Sequence, residues 1–170
     1  MINQKPFVHN LVLVSNVLIR KDGKFLLMKR SAKKKYAPGR IHPFGGKLDP
    51  DENPYVGAVR EIKEEVGIKI KNLKLEAIVL ELQHEEELPV NWLVFYFRAD
   101  YESGEIISSE EGEAVFLTEY EIKSADLFPS FKSIINNILT PTDGTVFTTN
   151  GYEGFETGLH ELAKNICVVK

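Results

Sequence analysis

Little in this chain gives a covalent or compartmental clue. Its single cysteine, Cys167, rules out an internal disulfide and reads as a small apolar residue near the end of the chain. Leu11 to Ile19 is apolar but too short and too interrupted to cross a bilayer. The opening MINQKPFVHN lacks a signal-peptide pattern, so the expected location is cytoplasmic, with no membrane partner. A basic excess is also missing. With 21 Lys and Arg against 25 Asp and Glu, the net charge is −4, which argues against duplex nucleic acid as a partner, since that needs a basic face. No internal repeat or low-complexity segment is present. What remains is ordinary: 43% hydrophobic and 27% charged residues in a chain of 170, most simply one domain spanning 1–170 with a real core.

The distinctive stretch is residues 46–68, GKLDPDENPYVGAVREIKEEVGI. Asn53 is suited to cap a helix, Pro54 to its first position and Gly67 to its end. At about 100° per residue, Tyr55, Val59, Ile62 and Val66 share an apolar stripe, while Glu61, Glu64 and Glu65 fall within about 100° of one another on another face. Like charges three and four residues apart repel, and Arg60 offsets only part of that. A hard divalent cation offsets the rest, because Mg²⁺ favours a few carboxylate oxygens together with water and phosphate. Gly57 lies on the carboxylate face, where its missing side chain is expected to leave room for a metal or phosphate. A plain solvated acidic face is the competing reading. An EF-hand is excluded: after Asp49, Asp51 and Asn53, the required glycine is Pro54 and the required glutamate is Arg60.

Gly46, Glu52, Arg60, Glu61, Ile62, Glu64, Glu65, Gly67 and Ile68 together match every fixed position of the Nudix box. The chain therefore resembles the Nudix hydrolases, which cleave nucleoside diphosphates linked to another moiety. The resemblance covers about residues 8–140 and implies a mixed α/β fold, with a mixed sheet sandwiched between helices. It matches Glu64 and Glu65 to metal-binding carboxylates, Glu61 to a metal ligand or general base, and Arg60 to the residue that orients it. Glu52 matches an outlying carboxylate that steadies the loop or binds a further metal. The carbonyl near Gly46 matches a metal ligand, and Lys47 a residue near phosphate. The implied cofactor is Mg²⁺, with Mn²⁺ as a substitute.

The run Gly39-Arg40-Ile41-His42-Pro43-Phe44-Gly45-Gly46-Lys47 is similar to that of the mutator-type (MutT-like) branch, which hydrolyses oxidised purine nucleoside triphosphates such as 8-oxo-dGTP. There the position of His42 often holds an asparagine that bonds the purine. An imidazole can also bond a base edge or stack on it. The same branch places an aromatic-Pro-Asp or -Asn element at the base. Phe128 is suited to stack, while Ser130 replaces the acid or amide with a hydroxyl, a weaker reader. An extra metal-ligand glutamate ahead of Phe116 maps to Glu110 or Glu111, and Glu111 is carried forward. Glu85, Glu86 and Glu87 stay in reserve as a general base outside the box, and Lys33, Lys34 and Lys35 as an electropositive rim.

Apolar patterning predicts strands over 8–20, 25–30, 73–83, 90–98, 114–118 and 145–152, with a hairpin at Asp22-Gly23. A helix is predicted from Phe128-Pro129 through Ile138, and a last one over 156–168 in a C-terminal extension starting at about 145. The expected activity is Mg²⁺-dependent conversion of a nucleoside triphosphate to monophosphate and pyrophosphate. The alternatives are ADP-ribose, nucleotide-sugar or dinucleoside-polyphosphate hydrolysis, or a nucleotide sensor without turnover. The physiological substrate and the oligomeric state are not legible in the sequence.

Overall fold

The computed structural model describes residues 10–82, 90–107, 111–140, 144–151 and 167–169. β1 (Asn10–Lys21) carries the first apolar run and turns through Asp22 and Gly23, both left-handed at φ 50° and 76°, into β2 (Lys24–Arg30). Two positive φ values match the twist of a two-residue hairpin. β3 (Ile41–His42) pairs with β2, and β4 (Phe44–Lys47) pairs antiparallel with β1, Gly45 opposite Asn16 and Gly46 opposite Ser15. Then follow α1 (Pro54–Val66), β5 (Ile68–Leu82), β6 (Val90–Gly104), β7 (Gly112–Leu117), α2 (Glu119–Ser124), α3 (Pro129–Leu139), β8 (Thr145–Gly151) and β9 (Cys167–Val169).

The strands form one mixed sheet in the order β3-β2-β1-β6-β5-β8-β9, with β4 also on β1 and β7 also on β2. β1 runs parallel to β6 over eleven paired residues, Asn10 with Val90 through Arg20 with Asp100. Side chains alternate faces along a strand, so the sheet builds two cores. Val17 and Ile19 of β1 and Phe97 of β6 pack with Ala58, Ile62 and Val66 of α1. Val14 and Leu18, with Val79 and Tyr96, pack with Phe131, Ile134 and Ile138 of α3. The sheet thus lies between α1 and α3, as the mixed α/β reading expects. Among the described residues, no helix is long and apolar enough to cross a membrane.

Four expectations change. The buried row of α1 is Ala58, Ile62 and Val66, whereas Tyr55 and Val59 are about half exposed. The helix is rolled so that its Gly57-Glu61-Glu65 row faces the glycines and loop beside β4, which moves the apolar arc off Val59. β5 begins at Ile68 rather than 73, because register irregularities between Lys71 and Lys74 let polar residues remain in the strand. β6 runs six residues past Arg98, to Gly104. Cys167 and Val168 belong to β9, opposite Phe147 and Val146, and not to a helix. A Cys-Val-Val run favours a strand once a neighbour offers a ladder. The remainder of the expected last helix, 156–166, lies outside the described residues.

Candidate active site

α1 starts where the sequence places it. Asn53 Oδ1 accepts from the backbone N–H groups of Tyr55 and Val56 at 3.0 and 3.1 Å, and Pro54 fills the first position. Gly67 closes the helix at φ 77°, donating its N–H to the Lys63 carbonyl. Between these caps, Arg60 gathers the motif. Its Nε and Nη2 donate to the two oxygens of Glu52 at 2.9 and 2.7 Å, a bidentate pair. Nη1 donates to Glu61 at 2.9 Å and Glu64 at 3.0 Å, and Nη2 also donates to the Lys47 carbonyl at 3.0 Å. This guanidinium beside Glu52 holds its carboxyl below the ordinary value, and the carboxylates push Arg60 further up.

Two glycines bring β4 against the carboxylates. Gly45, at φ 143°, lies so close to β1 that a Cβ would run into the Ser15 carbonyl. Its N–H donates to Glu65 Oε2 at 3.0 Å. Burial pushes the Glu65 carboxyl up to about 7, against the Gly45 hydrogen bond; the nearby charges of Glu111 and Glu61 add to the rise. Burial likewise raises Glu61, opposed by Arg60. A Cβ on Gly46 would lie 2.6 Å from the Glu61 carboxyl carbon, so that carboxylate sits directly on the Gly46 backbone. Gly57 does not leave open space. A Cβ there would run into Leu48 and come within 2.9 Å of Glu52 Oε2, so the glycine admits the motif's own loop rather than a ligand.

These groups line one end of a cavity of about 590 Å³. Glu61, Glu65, Gly45, Gly46, Lys47 and Glu111 meet there, with Lys34 in an ion pair to Glu111 at 3.0 Å. Glu64 is not among the lining residues; its side chain is 60% exposed beside Arg60. Glu52 is likewise outside the lining, behind Arg60. Glu110 and the reserve glutamates 85–87 lie outside the described residues, and Lys33 and Lys35 do not line the cavity.

The other end is aromatic. His42 is buried on β3, its ring edge-on to Phe128 at 4.7 Å and to Tyr96 at 6.4 Å. Burial, helped by the Arg30 charge, lowers its pKa to about 3, so the imidazole is neutral. Phe128 also meets Tyr36 edge-on at 5.3 Å and the Arg30 guanidinium at 5.3 Å. Lys47 Nζ lies 5.4 Å from the Trp92 ring. Ser130 does not line the cavity. It is buried behind Tyr96, hydroxyl to hydroxyl at 2.7 Å, so its hydrogen bonding is spent within the wall. The sequence reading missed Asn16, Glu81, Tyr96 and Arg30, which also line the cavity. Asn16 and Glu81 did carry a signal, as polar residues inside apolar strand runs, Asn16 beside Ser15 and Glu81 between Leu80 and Leu82.

Among the described residues, no three or more His, Cys, Asp or Glu side chains form a ready-made cation cage. Glu61 and Glu64 are turned toward Arg60. The donor chemistry nevertheless fits a hard cation. Glu61, Glu65 and Glu111 converge on one cavity wall beside the Gly46 backbone, all oxygen donors, and the charges of Glu111 and Glu61 add to the raised pKa of Glu65.

The profile of the NUDIX domain family matches residues 9–137. An uncharacterized Nudix hydrolase, YvcI of Bacillus subtilis, is 28% identical over 126 residues, 72% of this chain and 76% of that protein. The CTP pyrophosphohydrolase of Escherichia coli is 41% identical over 59 residues, 35% of this chain and 43% of that protein. Among solved structures, the MutT protein of Bacillus halodurans superposes with a TM-score of 0.73 at 26% identity, covering 84% of this chain and 91% of its own.

Proposed function

The chain belongs to the NUDIX domain family and is a hydrolase of pyrophosphate bonds; from that premise, we propose that it is a Mg²⁺-dependent nucleoside triphosphate pyrophosphohydrolase releasing monophosphate and pyrophosphate. One observation carries this reading: a single cavity joins a carboxylate wall at one end to an aromatic wall at the other. A nucleotide has the same polarity, phosphate at one end and a flat base at the other. The Escherichia coli relative named for CTP shares only a 59-residue segment, so the base preference is argued from the pocket instead.

In this reading Glu61, Glu65 and Glu111, with the Gly46 carbonyl, hold Mg²⁺ or Mn²⁺, and Glu64 and Glu52 stand outside that group. When bound, the metal neutralises the phosphates and acidifies the attacking water. Arg60 is a positioning residue. It fixes Glu61 by one arm while its other arm ties Glu52 and the Lys47 carbonyl to the helix. Glu61 takes the proton of the attacking water, and the bond to the departing pyrophosphate breaks as the new P–O bond forms. Lys47 faces the phosphates, and Phe128, His42 and Trp92 bound the base. The oxidised purines of the mutator-type branch are included among the substrates, since this pocket is large enough for a purine.

The test is a hydrolysis panel of ordinary and 8-oxo nucleoside triphosphates, ADP-ribose, a nucleotide sugar and a dinucleoside polyphosphate, with Mg²⁺ and with chelator. Triphosphate cleavage to monophosphate and pyrophosphate, lost in chelator, is expected. Preference for a sugar or dinucleotide substrate would overturn the substrate assignment but leave the catalytic one. Binding without turnover would make the protein a sensor.

A further inference from the structure

One loop reaches both ends of the cavity. Residues 31–40 connect β2 to β3, and backbone hydrogen bonds close their base: Gly39 N–H donates to the Arg30 carbonyl at 3.1 Å, and Arg30 N–H to the Arg40 carbonyl at 3.0 Å. Ser31 N–H donates to the Glu111 carbonyl at 2.9 Å, which anchors the loop beside that residue. Lys34 N–H turns back to the Ser31 carbonyl at 3.1 Å, and the Lys34 ammonium reaches the Glu111 carboxylate at 3.0 Å. Two residues on, Tyr36 packs edge-on to Phe128 at the aromatic end.

The partner of Lys34 is the informative part. Glu111 stands with Glu61 and Glu65 in the group that fits a hard cation, and Lys34 lines the same cavity. Its charge is felt at Glu65 as well, where it works against the rise caused by burial and the neighbouring carboxylates. An ammonium thus supplies positive charge to the same carboxylates that a divalent ion needs. Arg60 does not do so for Glu111, being committed to Glu52, Glu61, Glu64 and the Lys47 carbonyl. The pair of Lys34 and Glu111 is also poorly sheltered, its side chains 34% and 50% exposed. Ion pairs this open are worth little, and a hydrated ammonium on a flexible stem is easily released. The Lys34 backbone is pinned by its turn, so release moves only the side chain.

We propose that Lys34 is first a placeholder for the metal and then a phosphate-binding residue: its ammonium leaves Glu111 when a divalent cation binds there, and goes on to bind the polyphosphate of the substrate. The exchange keeps charge matched at each stage. Without metal, Lys34 partly neutralises Glu111 and Glu65; with metal, those carboxylates have a stronger partner and the lysine is released to meet the incoming anion. Lysine suits the second task, because an ammonium binds phosphate as a point charge without a fixed fork. Lys47, also on the cavity wall, offers the phosphates a second ammonium. Metal and polyphosphate are then coupled. Each draws Lys34 or Glu111 away from the pair that opposes the other, so each tightens the other's binding by the same factor.

This rests on the pyrophosphate-cleaving reading of the site, yet its test needs no turnover. Calorimetry on the full chain gives the affinity for Mg²⁺ alone, and then for inorganic pyrophosphate at saturating Mg²⁺. Lys34→Met should bind Mg²⁺ about two- to fivefold more tightly, the range that a half-exposed ion pair is worth. The same variant should bind pyrophosphate at least about fivefold more weakly, having lost a charge-assisted contact. Lys33→Met, one position away and off the cavity wall, should change neither, which separates the exchange from a general loss of positive charge. Opposite signs in Lys34→Met are the signature. A lysine that merely fastens the loop would on removal weaken both affinities or move neither, and either result overturns the proposal; so does a shift in only one of the two. If the hydrolysis panel finds no turnover, opposite shifts still uphold the exchange and the hydrolase reading falls. If turnover is found and the shifts are absent, the hydrolase reading stands and the exchange falls.

Discussion

Gly46 and Glu61 are so close that a Cβ on the glycine would fall 2.6 Å from the carboxyl carbon of the glutamate. Gly46 is not at a positive φ, so its lack of a side chain answers a need for space. The carboxylate cannot retreat freely, because Arg60 Nη1 holds it at 2.9 Å from the other side.

Gly46→Ala should therefore displace Glu61 from the cavity wall. A lowering of Mg²⁺-dependent kcat/KM of at least about 100-fold is expected, with a folded far-ultraviolet spectrum retained. Steady-state kinetics at saturating Mg²⁺ checks this. Near wild-type turnover would mean that Glu61 has no part in catalysis.

Arg60→Lys keeps the charge but loses the fork. A single ammonium cannot donate to both Glu52 oxygens, Glu61, Glu64 and the Lys47 carbonyl at once. The turnover rate should fall at least about tenfold, and the concentration of Mg²⁺ for half-maximal rate should rise. A Mg²⁺ titration of the rate separates the two effects. A lysine variant with wild-type kinetics would reduce Arg60 to a surface charge.

Glu65 links metal binding to pH. In the metal-free protein its carboxyl is raised to about 7 from an ordinary 4.5. The folded state thus binds the proton more tightly than the unfolded state. The stability from this group is fully present below about pH 4.5 and is lost as pH rises through about 7, by at most roughly 3 kcal/mol. A bound cation reverses this by favouring the carboxylate. Mg²⁺ affinity should climb between pH 6 and 8, measured by calorimetry, with about one proton released at the low end. Glu65→Gln should remove that slope, flatten the metal-free melting profile over the same range and cut the rate at least about 100-fold.

Most of this site was legible because its residues sit at fixed spacing on one helix, where neighbours at three and four positions must share a face. The caps at Asn53 and Gly67 and the hairpin at Asp22-Gly23 are equally local, each set by one residue's own chemistry. Errors came where distant chain decides. Gly57 on the carboxylate face suggests space for a ligand, yet Leu48 and Glu52 fill it, and only the folded loop determines that. The roll of α1, which exposes Val59 and buries Ala58, depends on how β4 meets the helix. Ser130 sits beside Phe128 in sequence but faces Tyr96 across the core. Glu81 and Asn16 reach the cavity only through the pairing of β5, β6 and β1, and no local pattern carries that pairing.

His42 tests the same dependence from the acid side. Burial and the Arg30 charge lower its pKa from 6.5 to about 3, so the fold holds the ring neutral. In the unfolded chain the ring takes up a proton near 6.5. Its contribution to stability is therefore fully present above pH 6.5 and is lost progressively as pH falls toward 3, the reverse of Glu65. His42→Asn replaces the ring with a neutral amide that does not titrate. Its stability relative to wild type should improve as pH drops from 6.5 to 4, by an amount of order a few kcal/mol, read from denaturant midpoints at each pH. Because Asn16 lies 3.5 Å from the ring and Phe128 meets it edge-on, the same substitution should weaken base binding and raise KM more than it lowers kcat. A variant whose stability difference from wild type is flat across that range would show that His42 titrates normally, and that the aromatic end of the cavity is wetter than its packing implies.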